Sequence, residues 1–227
     1  TTMAVLTWDG TGEKYFETGV SKGVLYPISS SGTYDTGVAW NGLTSVSETP
    51  SGAEPTDLWA DNIKYGTLRS PETYGGTIEA YTYPDEFAEC DGSALHASAT
   101  GVKLGQQSRK VFGFSYRTQI GDDTDPAAEN AYLLHLVYGA TASPSERTYN
   151  TINDSPEAIT FSWEFTCTGV ETAGYKPVSS ITIDSRTADA TCLAALEEKL
   201  YGGASTEAEL PLPAEVITLM TPSGVGG

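Results

Sequence analysis

The clearest secondary-structure signal in the chain is TFSWEFTCT, residues 160–168. Phe161, Trp163, Phe165 and Cys167 alternate with polar residues, so in an extended chain the four apolar side chains share one face. The alternation predicts a β-strand that turns its apolar face to a core and its polar face away from it.

Similar patterns on both sides of this segment predict a mostly β protein. Further strands are expected at residues 77–83, 110–118, 131–138 and 179–184, separated by turn-forming Gly, Asp, Ser and Pro. In residues 38–48, Asn41-Gly42 fits either a hairpin turn or a bulge within one long strand. Because strands do not alternate with helices, we expect an antiparallel β-sandwich or barrel.

One α-helix is predicted near residues 188–201. Its apolar stripe consists of Leu193, Leu196 and Leu200. Thr187 or Asp189 can cap its start, and Gly202 stands where a helix commonly ends. This helix is expected to flank the sheet.

Two segments differ in composition from the rest. Residues 49–76 are rich in Pro, Gly and acidic residues, and a loop of this length inside a domain is usually functional or mobile. Residues 203–227 combine a Leu-Pro repeat with a glycine-rich end. We therefore expect a β domain over residues 1–202, with a long loop arm at 49–76, followed by an extended C-terminal extension.

Composition argues against several classes of protein. The 227 residues carry a formal net charge of −18, which opposes tight nucleic-acid binding because that affinity comes from Lys and Arg at phosphates. No run of about 18 apolar residues is present, so no membrane-spanning helix is expected. The first residues lack the pattern of a secretory signal. Three widely spaced cysteines favour a reducing compartment over a disulfide framework or a zinc site.

Patterns with known chemistry are weak, so neither an enzyme nor a cofactor is expected. Gly19-Val20-Ser21-Lys22-Gly23 matches the nucleophile elbow of hydrolases, but an extended segment follows it where the elbow needs a helix. His96 and His135 have no metal-ligand spacing. Residues 122–125 (DDTD) lack the glycine and the glutamate of an EF-hand, so a solvated loop is expected there.

Tyrosines cluster around the long loop and the strand after it. They are Tyr65, Tyr74, Tyr81 and Tyr83. Such rings suit a carbohydrate-binding platform, a protein–protein interface or ordinary packing within a sheet. Interface or packing is favoured over sugar binding.

Five segments together resemble one family. They are FETGVSKGVLYP (16–27), GVAWNGL (37–43), YGGTIEAYTYPDEFAECDG (74–92), GQQSRKVFGFSYRT (105–118) and TINDSPEAITFSWE (151–164). Taken in this order they are similar to the major tail protein, or tail tube protein, of siphophages that infect Gram-positive bacteria. The resemblance covers most of residues 10–201.

The resemblance implies a structural virion protein that assembles in the host bacterial cytoplasm into the phage tail. Its subunits would form hexameric rings that stack into a tube, with strands from six subunits joined around a lumen. A long loop, and often the chain ends, would reach the next ring. Implied partners are further copies of the chain, the tape measure protein in the lumen, and the tail terminator and distal tail proteins at the tube ends. DNA would pass through without specific binding.

Candidate site residues follow from this expectation. Glu48, Glu79 and Glu164 occupy polar positions of predicted strands and are candidates for a negatively charged lumen; the outer surface or an intersubunit ion pair is the alternative. The candidates for inter-ring contacts are Trp59, Ile63, Tyr65 and Tyr74. The alternative function is a sugar- or protein-binding β-sandwich of the adhesin or receptor-binding type.

Overall fold

The computed structural model describes residues 6–29, 31–125, 131–152, 154 and 157–222. Within them the chain is mostly β, as the sequence predicts. The strands are β1 (Phe16–Pro27), β2 (Val38–Trp40), β3 (Leu43–Glu48), β4 (Ser51–Gly52), β5 (Pro55–Ala60), β6 (Ile63–Arg69), β7 (Glu72–Thr73), β8 (Gly75–Ala80), β9 (Ala94–Leu95), β10 (Lys103–Leu104), β11 (Phe112–Gly121), β12 (Ala131–Ala142), β13 (Phe161–Cys167) and β14 (Ser180–Asp184). The helices are α1 (Phe87–Cys90), α2 (Ala190–Tyr201) and α3 (Pro213–Leu219).

Eight strands form one large antiparallel sheet. Its order is β2-β1-β11-β12-β13-β8-β3, and β14 pairs with β12 off this path. The strand β12 pairs with β14 through residues 133–137 and with β13 through residues 140–142. Because β11 occupies the other side of β12, the sheet divides where β12 passes from one partner to the next.

Gly139 lies at this division and has a positive φ of 62°. A Cβ atom at this position would clash with the carbonyl oxygen of Thr168, which is the residue after β13. Only glycine can adopt this positive φ and lie this close to the Thr168 carbonyl oxygen without strain. The backbone of β12 can therefore turn here, so that β13 and β8 fold back towards the first part of the sheet.

Two hydrophobic clusters cover the two faces of the central strands. One lies between β11–β12 and β8–β13 and is mainly aromatic, with Trp40, Phe87 and Trp163 in mutual contact. The other lies between β12 and the helices, where Leu134 and Leu136 are fully buried. Alternate residues of β12 thus enter different clusters, which agrees with an apolar pattern on both of its faces.

The predicted helix is confirmed as α2. The Asp189 carboxylate caps it by accepting bonds from the amides of Thr191 and Cys192, both 3.0 Å away. On the facing strand β11, buried Arg117 forms an ion pair with Glu197 and lies over the ring of Tyr132, 4.1 Å from its centroid. A buried charge is tolerated when it is paired in this way. The pair therefore fixes α2 against the sheet.

The C-terminal segment differs from the extended tail expected from its composition. Residues 213–219 form α3, which begins at Pro213, a residue that suits the first helical turn. Leu210 and Val216 are buried against the second cluster, and the hydroxyl of Tyr138 donates to the carbonyl oxygen of Pro211 at 3.0 Å. Residues 210–220 thus pack on the β domain, and residues 223–227 lie outside the described part.

Neither interpretation of residues 38–48 is correct. The strands β2 and β3 do not pair with each other, since β2 joins β1 and β3 joins β8. Asn41-Gly42 instead carries the chain across from one part of the sheet to the other, with Gly42 at a φ of 76°. Residues 49–76 are not irregular either, because they contain four short strands.

Candidate assembly surfaces

Residues 49–74 form an arm that projects from the sheet. Its root is the short pair β4–β7, and its outer part is the hairpin β5–β6. Asp61 and Asn62 form the tip with φ values of 51° and 65°, as a two-residue turn of mirror-image type requires. Asp57 accepts a hydrogen bond from Thr67 at 2.9 Å and pairs with Lys64 at 2.7 Å. These contacts lie within the hairpin.

The hairpin exposes several large apolar side chains. Trp59 is 70% exposed, Ile63 63% and Tyr65 76%, and Leu58 and Leu68 are also exposed. Every residue of β5 is exposed, and in β6 only Gly66 is half-buried. Tyr65 is an extra residue in its strand, because the pairing passes from Leu58–Gly66 directly to Trp59–Lys64. The contacts that would normally bury such side chains are missing from the described part of the subunit.

Tyr74 differs from the other three residues predicted to make inter-ring contacts. It lies at the root of the arm, half-buried against the aromatic cluster. Burial raises the pKa of its hydroxyl, and the nearby Glu48 carboxylate raises it further. The structure therefore brings Trp59, Ile63 and Tyr65 together on the hairpin and places Tyr74 in the body of the protein.

The strands β1 and β14 each leave an edge open in the described part of the chain. β1 pairs with β11 over most of its length, but β2 covers its other side only at residues 23–25. The strand β14 pairs with β12 on one side alone. Residues 16–21 and 180–184 thus end a four-stranded unit, β1-β11-β12-β14, on opposite sides, with unpaired backbone groups.

The polar face of β13, β8 and β3 carries acidic residues and no basic ones. The pairing brings Glu164, Thr77 and Ser47 side by side, and next to them Ser162, Glu79 and Ser45. The Ser45 hydroxyl donates to the Glu79 carboxylate at 2.8 Å. None of the three strands contains Lys or Arg. Glu79 and Glu164 therefore share one face, as the alternation indicates.

Glu48 does not lie on this face. Its side chain shares the side of β3 on which Val46 packs against the aromatic cluster, and it accepts a hydrogen bond from the hydroxyl of Tyr116 at 2.8 Å. The reason is a register shift between Leu43 and Ser45, which the sequence pattern does not reveal. Glu48 therefore does not share a face with Glu79 and Glu164, and its assignment to a lumen stays a prediction.

His135 lies beside Glu48, with 3.7 Å between its Nδ1 and the carboxylate Oε1. Burial lowers the pKa of this imidazole, while the charges of Glu48 and Glu17 act in the opposite direction. Their grouping could not be predicted from sequence, because these residues come from separate strands of the sheet.

The patterns weighed for catalysis and metal binding acquire no supporting geometry. Residues 19–23 lie inside the strand β1, with Lys22 at a φ of 50°, and do not form a strand-to-helix turn. In the described ranges, no three His, Cys, Asp or Glu side chains form a group suited to a metal ion. The helices of the described residues include none with the length and apolar character needed to cross a bilayer.

Comparison with known proteins gives no independent assignment. No family model matches the chain, and a search of curated proteins found no match.

Proposed function

We propose that this chain is a structural protein that assembles with copies of itself into the tail tube of a siphophage. The observation that carries the proposal is the arm, because five large apolar side chains of its hairpin are exposed to solvent. A lone two-stranded hairpin is marginally stable in water, so burial against another copy would stabilise it. Most of residues 10–201 resemble tail tube proteins, and this resemblance implies a tube of stacked rings in which such an arm reaches the next ring.

The open edges support ring formation. Neighbouring strands of the unit β1-β11-β12-β14 alternate in direction. The strand β14 of one copy would therefore meet β1 of the next copy in antiparallel orientation, and the same contact repeated around an axis closes a ring. Six subunits are the number that the resemblance implies. In such a ring each unpaired edge finds its partner without any change of fold.

The acidic face supports the role of a conduit. A wall of Ser, Thr and Glu without Lys or Arg offers DNA no cationic side chains to neutralise its phosphates. We assign Glu79 and Glu164 to the lumen of the proposed tube, where the tape measure protein would precede the DNA. The tail terminator and distal tail proteins would close its two ends.

Electron microscopy of the purified protein tests the assembly. At high concentration we expect hollow tubes or six-fold rings in negative stain. Trp59→Ser with Tyr65→Ser should leave a folded subunit that no longer stacks, whereas Tyr175→Ser, at an exposed turn outside the arm, serves as the matched control. Discrete monomers or trimers at every concentration would contradict the proposal.

A second function is favoured by the same exposed aromatic rings. Trp59 and Tyr65 on a hairpin also suit a sugar- or protein-binding module of the adhesin type. In that case the protein would remain discrete in the microscope and would bind glycans on a surface array. Loss of glycan binding in the Trp59→Ser variant, together with absence of tubes, would identify this second function.

A further inference from the structure

The root of the arm is joined directly to Glu48. Glu48 is the last residue of β3, and the arm begins with the next residue. The amide of Thr49 donates to the carbonyl oxygen of Gly75 at 2.7 Å, which closes the root on its other side. Any interaction that fixes the Glu48 carboxylate therefore also bears on where the arm leaves the body.

His135 connects this root to the open strand β14. Its imidazole stacks on the ring of Tyr116, with 4.5 Å between centroids and 3° between planes. The Nε2 atom is 3.0 Å from the Thr118 hydroxyl, and Nδ1 is 3.5 Å from the hydroxyl of Thr182 on β14. Since Nδ1 also faces Glu48 at 3.7 Å, one side chain lies beside both the open strand β14 and the residue that precedes the arm.

The surroundings of His135 determine when it takes a proton. Its titratable neighbours are Glu48 on β3, Glu17 on β1 and Tyr116 on β11, and Tyr74 lies beyond Glu48. Burial is the largest influence and brings the pKa of His135 below its ordinary value of 6.5. The ring is thus neutral at physiological pH, and it takes a proton only at a pH below the ordinary range of histidine.

We propose that His135 and Glu48 form a proton-dependent link that holds the root of the arm more firmly to β12 and β14 when His135 is charged. A neutral imidazole gives the carboxylate little attraction at 3.7 Å, whereas a charged one favours a shorter, charge-assisted hydrogen bond. The arm would then be better ordered before it meets another copy. The consequence for assembly rests on the proposed function; the link itself does not.

The titration of His135 tests the link in the isolated subunit. The chain has two histidines, so its imidazole NMR signals are few, and His96 is an internal control whose Nδ1 faces the amides of Ser98 and Ala99. Glu48→Gln removes the charge and keeps an oxygen for the Tyr116 hydroxyl. We expect His135 to titrate at lower pH in this variant, because the charge of Glu48 raises its pKa. An identical titration of His135 in both proteins would overturn the link.

Hydrogen exchange of the Thr49 amide measures how often the hydrogen bond to Gly75 at the root of the arm opens. After correction for intrinsic rates, exchange should slow by roughly two- to fivefold as the pH is lowered through the His135 titration that NMR measures, the effect of one partly exposed ion pair. The change should vanish in Glu48→Gln and in His135→Gln; the first variant suffices if the second does not fold. Persistence of the change in a folded variant would refute the link.

An assembly assay at two pH values tests the link separately from the proposed function. If tubes form, wild type should assemble faster at the lower pH, and Glu48→Gln should lose that acceleration. Tubes with the same pH dependence in both proteins would overturn the link and leave the proposed function intact. If no tubes form at either pH, the proposed function fails, and the link is decided by the titration and the exchange data.

Discussion

Gly139 shows how one residue determines the path of the large sheet. Its positive φ and its contact with the carbonyl oxygen of Thr168 allow β12 to change partners from β14 to β13. An alanine here would be strained in its own backbone and would press on a neighbouring strand. An alanine at this position would therefore add the strain of a left-handed backbone to a steric clash with the Thr168 carbonyl oxygen.

We predict that Gly139→Ala lowers the free energy of unfolding by about 3 kcal/mol, of which about 1 kcal/mol comes from the left-handed backbone. Gly174→Ala is the matched control, since Gly174 has a φ of 83° and no atom within 4 Å of an added Cβ. It should lose only the backbone contribution. Urea denaturation measures both, and equal losses would show that the Thr168 contact has no energetic role.

The acidic residues show what alternation can predict at single positions. Glu164 follows the pattern of its own strand, and Glu79 lies beside Ser162 in the neighbouring one, so local sequence is sufficient for both. Glu48 lies after the register shift in β3, which depends on the pairing with β8. A local pattern contains no information about that pairing, and this is why Glu48 does not share the face of Glu79 and Glu164.

The helix α2 was predictable as an element because its signals are local. The cap, the apolar stripe and the final glycine all lie within residues 189–202. The arm hairpin and α3 were missed because Pro, Gly and acidic residues obscure their short patterns, and α3 depends on packing against the sheet. Likewise, the open edges of β1 and β14 could not be predicted, since they follow from strand order.

The contribution of α2 to stability can be measured at Leu196, which is fully buried between the helix and β12. Leu196→Ala should lower the free energy of unfolding by roughly 2–5 kcal/mol, because it removes apolar contacts and leaves a cavity. Glu198→Ala, an exposed position on the same helix, should change it by less than about 0.5 kcal/mol. Thermal unfolding followed by circular dichroism compares the two. Similar losses would mean that the burial of Leu196 contributes little to stability.

The arm should be separable from the fold as an element. Replacing residues 54–70 with Gly-Gly keeps the root pair Ser51–Thr73 and removes a hairpin whose strands bury no side chain. We therefore expect the free energy of unfolding to change by less than about 0.5 kcal/mol. Sedimentation of concentrated protein should show that polymers no longer form. Normal tubes from the shortened protein would end the assignment of the arm to inter-ring contacts.

At the scale of the molecule, charge and assembly act together. The subunit carries a formal charge of −18, but salt screens charges beyond about 8 Å, so only the side chains nearest the DNA influence its passage. Stacked rings repeat each of those side chains many times along the tube. A substitution whose electrostatic effect on DNA is negligible in one subunit therefore has a much larger effect in the tube.

Charge reversal on the acidic face tests the proposed conduit. In Glu164→Lys tubes, rings of ammonium groups would face the phosphates, and their neutralisation is additive. We expect tubes of normal appearance that bind DNA at low salt, release it as salt rises, and slow genome ejection from virions that carry the variant. Glu171→Lys, which is exposed outside the three strands of this face, has the same change in net charge and should leave ejection unaffected.

If the two variants behave alike, net charge alone is responsible and Glu164 does not face the lumen. If Glu164→Lys subunits fold but do not assemble, the acidic face is an intersubunit contact instead.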